Sequence, residues 1–447
     1  MRKTMKRSGG FILALILLST MIPASDTKAL ASDAQQQLQK TSYRTVMEVE
    51  DFGPQITKVI VGLGRKVKER SVGTDTFKVH VVRKAQNPET KMLGEAEGDR
   101  IVTKAYISDK DGKAEKKGRY ATLVLEIGPD KSLGSALNFS MTTYKNEWVQ
   151  SDYTITQQKE IKSGSVKISG LVADISSGET KALIDDFTVS QGTYDNITLK
   201  YASYTPAKDK AKHPLIIWLH GMGEGGTDGL LGIAGNKVVN FASEKIQAYF
   251  GGAYILGPQS PTMWMEGLTV NSFGDGTSKY EKALMALIQE YVSKNPGIDP
   301  NRIYIGGCSN GGYMTMLMVR DYPSYFAAAF PTCEALKDGL ITDSDINKMK
   351  DVPLWFVAAK TDTTVPVNQY VVPTYDRLIK AGAKNVHLSL FDNVIDTSGL
   401  YKKEDGTPYE YNGHWSWIYV FNNVPKDTIN GKSVTIMKWM AGQSLHQ

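Results

Sequence analysis

The sequence predicts two domains in series: an all-β sandwich of roughly immunoglobulin size, then an α/β domain with a mostly parallel sheet flanked by helices. Three observations predict this. The 447-residue length is two to three times that of an ordinary domain. Up to about residue 190, short alternating runs of Val, Ile, Thr, Tyr and Phe follow one another with no long amphipathic helix between them. After residue 191 short apolar runs instead alternate with stretches of helical period, the pattern of strands joined by crossover helices. Apolar residues at 41% and charged residues at 22% are ordinary for globular chains and exclude collagen, disordered and multi-span membrane proteins.

Residues 1–31 come first and read as a cleaved export signal. Arg2, Lys3, Lys6 and Arg7 precede the apolar run 11–22, and Ala29-Leu30-Ala31 supplies small residues for cleavage near Ala31. The run is well short of the ~20 residues of a membrane helix, so the mature protein is expected to be secreted, with no membrane partner once the signal is removed. Five cations against Asp26 give this segment a net +4 out of the chain's +5. The rest is nearly neutral, which gives no electrostatic reason to expect nucleic acid as a partner.

The β-rich domain is expected over 32–190. Its strand candidates are 56–63, 76–82, 101–108, 120–127, 151–157 and 165–171, with turns at Asp109-Lys110-Asp111-Gly112 and Ser176-Ser177-Gly178. The second domain is expected over 191–447. It offers strands at 214–219, 253–256, 302–305, 326–330, 353–359 and 386–391, and helices at 280–293, 310–320, 371–381 and 432–441.

The chemistry concentrates at Gly306-Gly307-Cys308-Ser309-Asn310-Gly311-Gly312. This is G-x-S-x-G directly after a strand and directly before a helix. Small residues two before and two after the serine let strand and helix close on each other and project the hydroxyl outward. A serine needs a base, and the base needs an orienting acid. Asp362, just past strand 353–359, is the acid candidate, with Asp392 and Asp396 as competitors. His387, His414 and His446 follow in the chain. His387 opens a strand and His446 ends a tail, so His414, in a loop beyond the last strand, is the base candidate. The oxyanion donors would be the backbone N–H of Asn310 and one from the loop after strand 214–219, Met222 or alternatively Gly223. His220 reads as a brace of that loop.

Leu219-His220-Gly221, the Ser309 elbow, Asp362 with Val365-Pro366, and His414-Trp415 together resemble a secreted α/β-hydrolase of the esterase, polyhydroxybutyrate-depolymerase and feruloyl-esterase-like group. The leader resembles the immunoglobulin-like N-terminal domain of some bacterial carboxylesterases. The resemblance implies an α/β hydrolase preceded by an immunoglobulin-like β-sandwich, and a serine esterase acting on a small-molecule or polymer-linked ester. Ser309, Asp362 and His414 would be catalytic, Met222 and Asn310 the oxyanion donors, and Trp264 and Trp415 substrate-binding residues. A prolyl-oligopeptidase-like peptidase uses the same triad, and an inert surface or polysaccharide-binding protein is the reading from another class. No cofactor is expected. No metal site is expected either, because the six histidines are scattered and lack metal-ligand spacing. Cys308 and Cys333 are left as a bridge or as two buried thiols.

Overall fold

A computed structural model describes residues 39–206 and 209–445. Residues 1–31, expected to be an export signal, and His446 lie outside the described residues. The N-terminal domain is built from β1 (Gln39–Glu50), β2 (Gly53–Lys68), β3 (Phe77–Ala85), β4 (Glu97–Arg100), β5 (Val102–Ser108), β6 (Lys117–Leu125), β7 (Leu137–Ser140), β8 (Lys145–Gln157), β9 (Ile161–Ser163), β10 (Val166–Ile168) and β11 (Leu171–Lys181). Nine of these join in one ladder, β4-β3-β8-β11-β1-β2-β6-β5, with β7 on β8. Alternate residues of strands from the two halves of the ladder, such as Val59 and Val61 of β2 and Val79 and Val81 of β3, are buried in one core. That is the period-2 burial of strands folded over a shared interior. Tyr43 and Tyr153 meet edge to face within it, 5.9 Å between ring centroids.

Two expectations for this domain fail. The run 165–171 is divided between β10 and β11, and Ser176-Ser177-Gly178 lies inside β11, where register shifts against β1 take up the irregularity.

The second domain is an eight-stranded sheet: β12 (Thr188–Tyr194), β13 (Ile197–Tyr204), β14 (His213–Leu219), β15 (Tyr254–Gln259), β16 (Ile298–Cys308), β17 (Ala328–Thr332), β18 (Leu354–Ala359) and β19 (Val386–Phe391). The order is β12-β13-β15-β14-β16-β17-β18-β19; the first two pairings are antiparallel and the others parallel. The expected boundary between 190 and 191 therefore falls inside β12, which is hydrogen-bonded to β13. The helices are α1 (Leu231–Ala234), α2 (Glu244–Phe250), α3 (Glu281–Lys294), α4 (Asn310–Asp321), α5 (Asp343–Met349), α6 (Val371–Lys380), α7 (Trp417–Phe421) and α8 (Ile436–Ala441). The helix expected over 432–441 is a short strand, Lys432–Thr435, running into α8.

Every residue of β14 and β18 is buried, as expected for parallel strands covered on both faces. Ile216, Trp218, Phe330 and Trp355 point to the face covered by α2, α7 and α8. Leu215, Ile217, Ile305 and Phe356 point to the face covered by α3 to α6. The first face shares one continuous apolar cluster with the N-terminal domain. Polar contacts also join the domains. Asp51 takes bonds from Lys237 Nζ (2.8 Å) and Asn422 Nδ2 (2.9 Å), while Trp148 Nε1 donates to Asp228 (2.6 Å) and Lys145 Nζ to the Pro261 carbonyl (3.0 Å).

Candidate active site

Strand β16 ends at Cys308 and α4 begins at Asn310, so Ser309 alone makes the turn. Its backbone is at φ 55° and ψ −115°, a strained conformation for a residue with a Cβ. The surroundings enforce it. A Cβ at Gly307 would lie 2.6 Å from the Leu219 carbonyl oxygen and one at Gly311 only 2.0 Å from the same atom, so the elbow fits against the end of β14 only as glycine. The N–H of Ser309 donates to the Thr332 carbonyl of β17 at 3.0 Å. Asn310 opens α4, where helical geometry leaves the first N–H groups without intrahelical acceptors. Its side-chain Oδ1 takes the Met265 N–H at 3.0 Å.

Past the end of β18, Asp362 is buried with both carboxylate oxygens engaged. Oδ1 accepts the amides of Thr364 (2.9 Å) and Val365 (2.8 Å), and Oδ2 lies 2.7 Å from His414 Nδ1. Such a bond fixes the imidazole with its proton on Nδ1 and leaves Nε2 as an acceptor. Nε2 makes no hydrogen bond within the described residues. Gly413 permits the approach, since a Cβ there would meet the Thr361 backbone at 2.5 Å. The competitors are committed elsewhere. Asp392 is paired with Lys360 on the surface, Asp396 accepts from Ser398 and Gly399, and His387 Nδ1 lies 2.7 Å from Asp427.

Cys333, at the end of β17, links the two halves of the site. Its sulfur and one ligand atom each of Asp362 and His414 lie within 4.8 Å of one another, and the Ser309 amide also interacts with the sulfur. A metal ion does not fit between Asp362 and His414, because their 2.7 Å separation is already that of a direct hydrogen bond. Cys308 and Cys333 are both free and buried, and burial pushes both thiols well above their ordinary pKa. Cys308 faces Asn236 Nδ2 at 3.5 Å rather than an opening.

The loop after β14 forms a 3-10 turn, Met222–Glu224, beginning at Gly221. His220 is fully buried. Nδ1 donates to the Gly221 carbonyl (2.6 Å) and Nε2 accepts the Ser260 N–H (3.0 Å), so the ring ties this loop to the end of β15. Burial lowers its pKa to about 4, so the ring is neutral in that role. Trp264, expected against substrate, has no exposed surface and packs on His220 and Tyr280; here it belongs to the core behind the loop. Trp415 is part-exposed and stacks between Tyr411 and Trp417.

Two buried carboxyls were not anticipated. Burial raises Glu224 to about 7 and Glu334 to about 8. Glu334 lies behind the elbow against Gly312, where its Oε2 accepts the Leu336 amide and its Oε1 has no hydrogen-bond partner among the described residues.

Residues 42–170 match the family described as esterase Ig-like N-terminal domain, and residues 202–395 the family described as Phospholipase/Carboxylesterase. The chain thus joins a domain that matches the esterase Ig-like N-terminal family to one that matches the Phospholipase/Carboxylesterase family. A solved thermostable esterase superposes on this two-domain arrangement with a TM-score of 0.73 at 24% identity, covering 90% of this chain and 99% of that one. Poly(3-hydroxyalkanoate) depolymerase C of Paucimonas lemoignei is 26% identical over 166 residues, which is 36% of this chain and 36% of the relative's length. Among the described residues no helix is long and apolar enough to cross a membrane.

Proposed function

We propose that this protein hydrolyses carboxylic esters through a covalent acyl-enzyme on Ser309. The observation that carries the reading is the 2.7 Å Asp362–His414 bond, and the serine held in a strained strand-to-helix turn supplies the candidate nucleophile. In this reading the Ser309 hydroxyl attacks the ester carbonyl while His414 Nε2 takes its proton. Asp362 stabilises the imidazolium that forms. The amides of Asn310 and Met222 receive the oxyanion, and His414 returns the proton to the departing alcohol. Water, activated by the same imidazole, then releases the acid. Every proton moves between protein, substrate and water, so the cycle closes without a cofactor.

Trp415, beside His414 and part-exposed, is proposed to contact substrate; Trp264 would act only through the core it fills. The likeness to a polyhydroxyalkanoate depolymerase supports including polymer-linked esters among the substrates, alongside small ones. The cationic start, apolar run and Ala29-Leu30-Ala31 support export with cleavage near Ala31, giving a secreted enzyme. The test is a panel of short p-nitrophenyl esters set against aminoacyl-proline amides. Ester turnover that disappears in Ser309→Ala supports the proposal. Turnover confined to the amides, or ester turnover retained by Ser309→Ala, overturns it.

A further inference from the structure

The Glu224 carboxyl is only 4% exposed, and each of its oxygens meets one side-chain amide, with the Gly221 and Glu224 backbone amides close by. Oε2 accepts from Asn236 Nδ2 at 3.0 Å, within the hydrolase domain. Oε1 accepts from Asn146 Nδ2 at 2.9 Å, and Asn146 is on β8 of the immunoglobulin-like domain. The fit is close. A Cβ at Gly223 would lie 2.9 Å from Asn146 Nδ2, and one at Gly235 would lie 2.5 Å from the Glu224 side chain. The Asn236 amide that serves Glu224 also reaches Cys308 Sγ, the residue before the nucleophile. A chain of polar contacts thus runs from the first domain, through the 222–224 turn, to the elbow.

The ends of the turn are anchored within the hydrolase domain, by His220 on the Gly221 carbonyl (2.6 Å) and by the Gly226 N–H on the Ser260 carbonyl (2.9 Å). Gln259 Nε2 donates to the Glu224 carbonyl at 2.8 Å and fixes the backbone at its end, while the Glu224 side chain fixes its body. A carboxyl taken out of water must keep its donors, so loss of either amide gives the turn a reason to move. Burial already pushes this carboxyl up to about 7, and the Asn146 and Asn236 amides, with the backbone amides of Glu224 and Gly221, oppose that rise.

We propose that Asn146 is a positioning residue for ester hydrolysis: it acts through Glu224 to hold the turn whose Met222 amide serves as an oxyanion donor. The inference deepens the proposed function and rests on its oxyanion assignment. It gives the immunoglobulin-like domain a residue-level part in the chemistry.

The experiment uses the full chain and a short p-nitrophenyl ester. Complete loss of an oxyanion donor costs about 100- to 1,000-fold, so displacing one should lower kcat about tenfold in Asn146→Ala, with KM within about twofold. Asn146→Asp sets two carboxyls against each other and should lose at least as much. Adding Glu224→Gln to Asn146→Asp reverses the bond, because the new amide donates to residue 146 while its oxygen still accepts from Asn236. That pair should recover to within about threefold of the original kcat. Asn422→Ala is the control: it removes the Asn422 bonds to Asp51 between the same domains, leaving that of Lys237, and should leave kcat within about twofold while lowering the melting temperature.

Unchanged kcat in Asn146→Ala, no recovery in the reversed pair, or an equal kcat loss in Asn422→Ala would each overturn the proposal. Should Asn146→Ala not fold, the comparison of Asn146→Asp with the reversed pair decides alone. Ser309→Ala run in parallel separates the two levels. If it is inactive and the Asn146 series is neutral, only the coupling fails; if it retains turnover, the site assignment fails with it.

Discussion

The elbow makes a demand on Gly311 whose consequence can be worked out from distances. Gly311→Ala adds a Cβ 2.0 Å from the Leu219 carbonyl oxygen, 2.4 Å from its carbon and 2.6 Å from the His220 carbonyl oxygen. All three are backbone atoms, so no side chain can swing aside. Favourable separations begin near 3.5 Å, so the start of α4 and the end of β14 must part by about 1 to 1.5 Å. That movement widens the gap between the Asn310 amide and the loop bearing Met222. A misplacement of about 1 Å at a catalytic centre costs on the order of 100-fold, and overpacking of this kind costs a further ~1–3 kcal/mol in stability. Gly339→Ala supplies the comparison, since a Cβ there meets nothing within 4 Å. Steady-state kinetics on a p-nitrophenyl ester and thermal unfolding should show Gly311→Ala crippled and Gly339→Ala unaffected. Gly311→Ala that kept more than half its kcat at an unchanged melting temperature would refute the close-approach argument.

Three further outcomes are expected. Asp362→Asn should lower kcat about 10,000-fold, because an amide can hold the wrong imidazole tautomer and cannot stabilise the imidazolium; Asp392→Asn, which loses only a surface pair with Lys360, should change it little, and equal losses would contradict the assignment. Glu334, raised to about 8 by burial, keeps in the folded state a proton that the unfolded chain releases above about 4.5. Its contribution is therefore intact at low pH and lost as pH rises toward 8. Calorimetry should find Glu334→Gln more stabilising at pH 9 than at pH 4.5, and a pH-independent difference would contradict this. Thiol titration should detect neither Cys308 nor Cys333 in the native protein and both after denaturation without reductant; a bridge would leave none to titrate.

What could be read from the sequence was whatever short-range pattern determines. The elbow is legible because strand, glycine spacing and helix lie within a dozen residues. Asp362 and His414 were reachable by chain order, and the structure joins them at 2.7 Å. The buried strands of the parallel sheet stand out because both their faces are covered. The hairpin β12–β13 is not among the expected strands: its turn, Asp195-Asn196, takes positive φ at both residues without the glycine that marks such turns in a sequence. Strand 432–435 was absorbed into the helix that follows because four residues cannot establish a period. Trp264 could not be divided between pocket and core, since that depends on what packs over it. Asn146 and Glu224 lie 78 positions apart in different domains, and only the folded chain brings an unremarkable loop glutamate against an unremarkable strand asparagine.

The most direct test of the central claim is covalent capture of the nucleophile. Full-length protein treated with a fluorophosphonate and digested with trypsin should carry one phosphonyl group, on Ser309 within the peptide 303–320. Labelling should vanish in Ser309→Ala and slow sharply in His414→Ala. No adduct, an adduct on another residue, or unchanged labelling of Ser309→Ala would contradict the account.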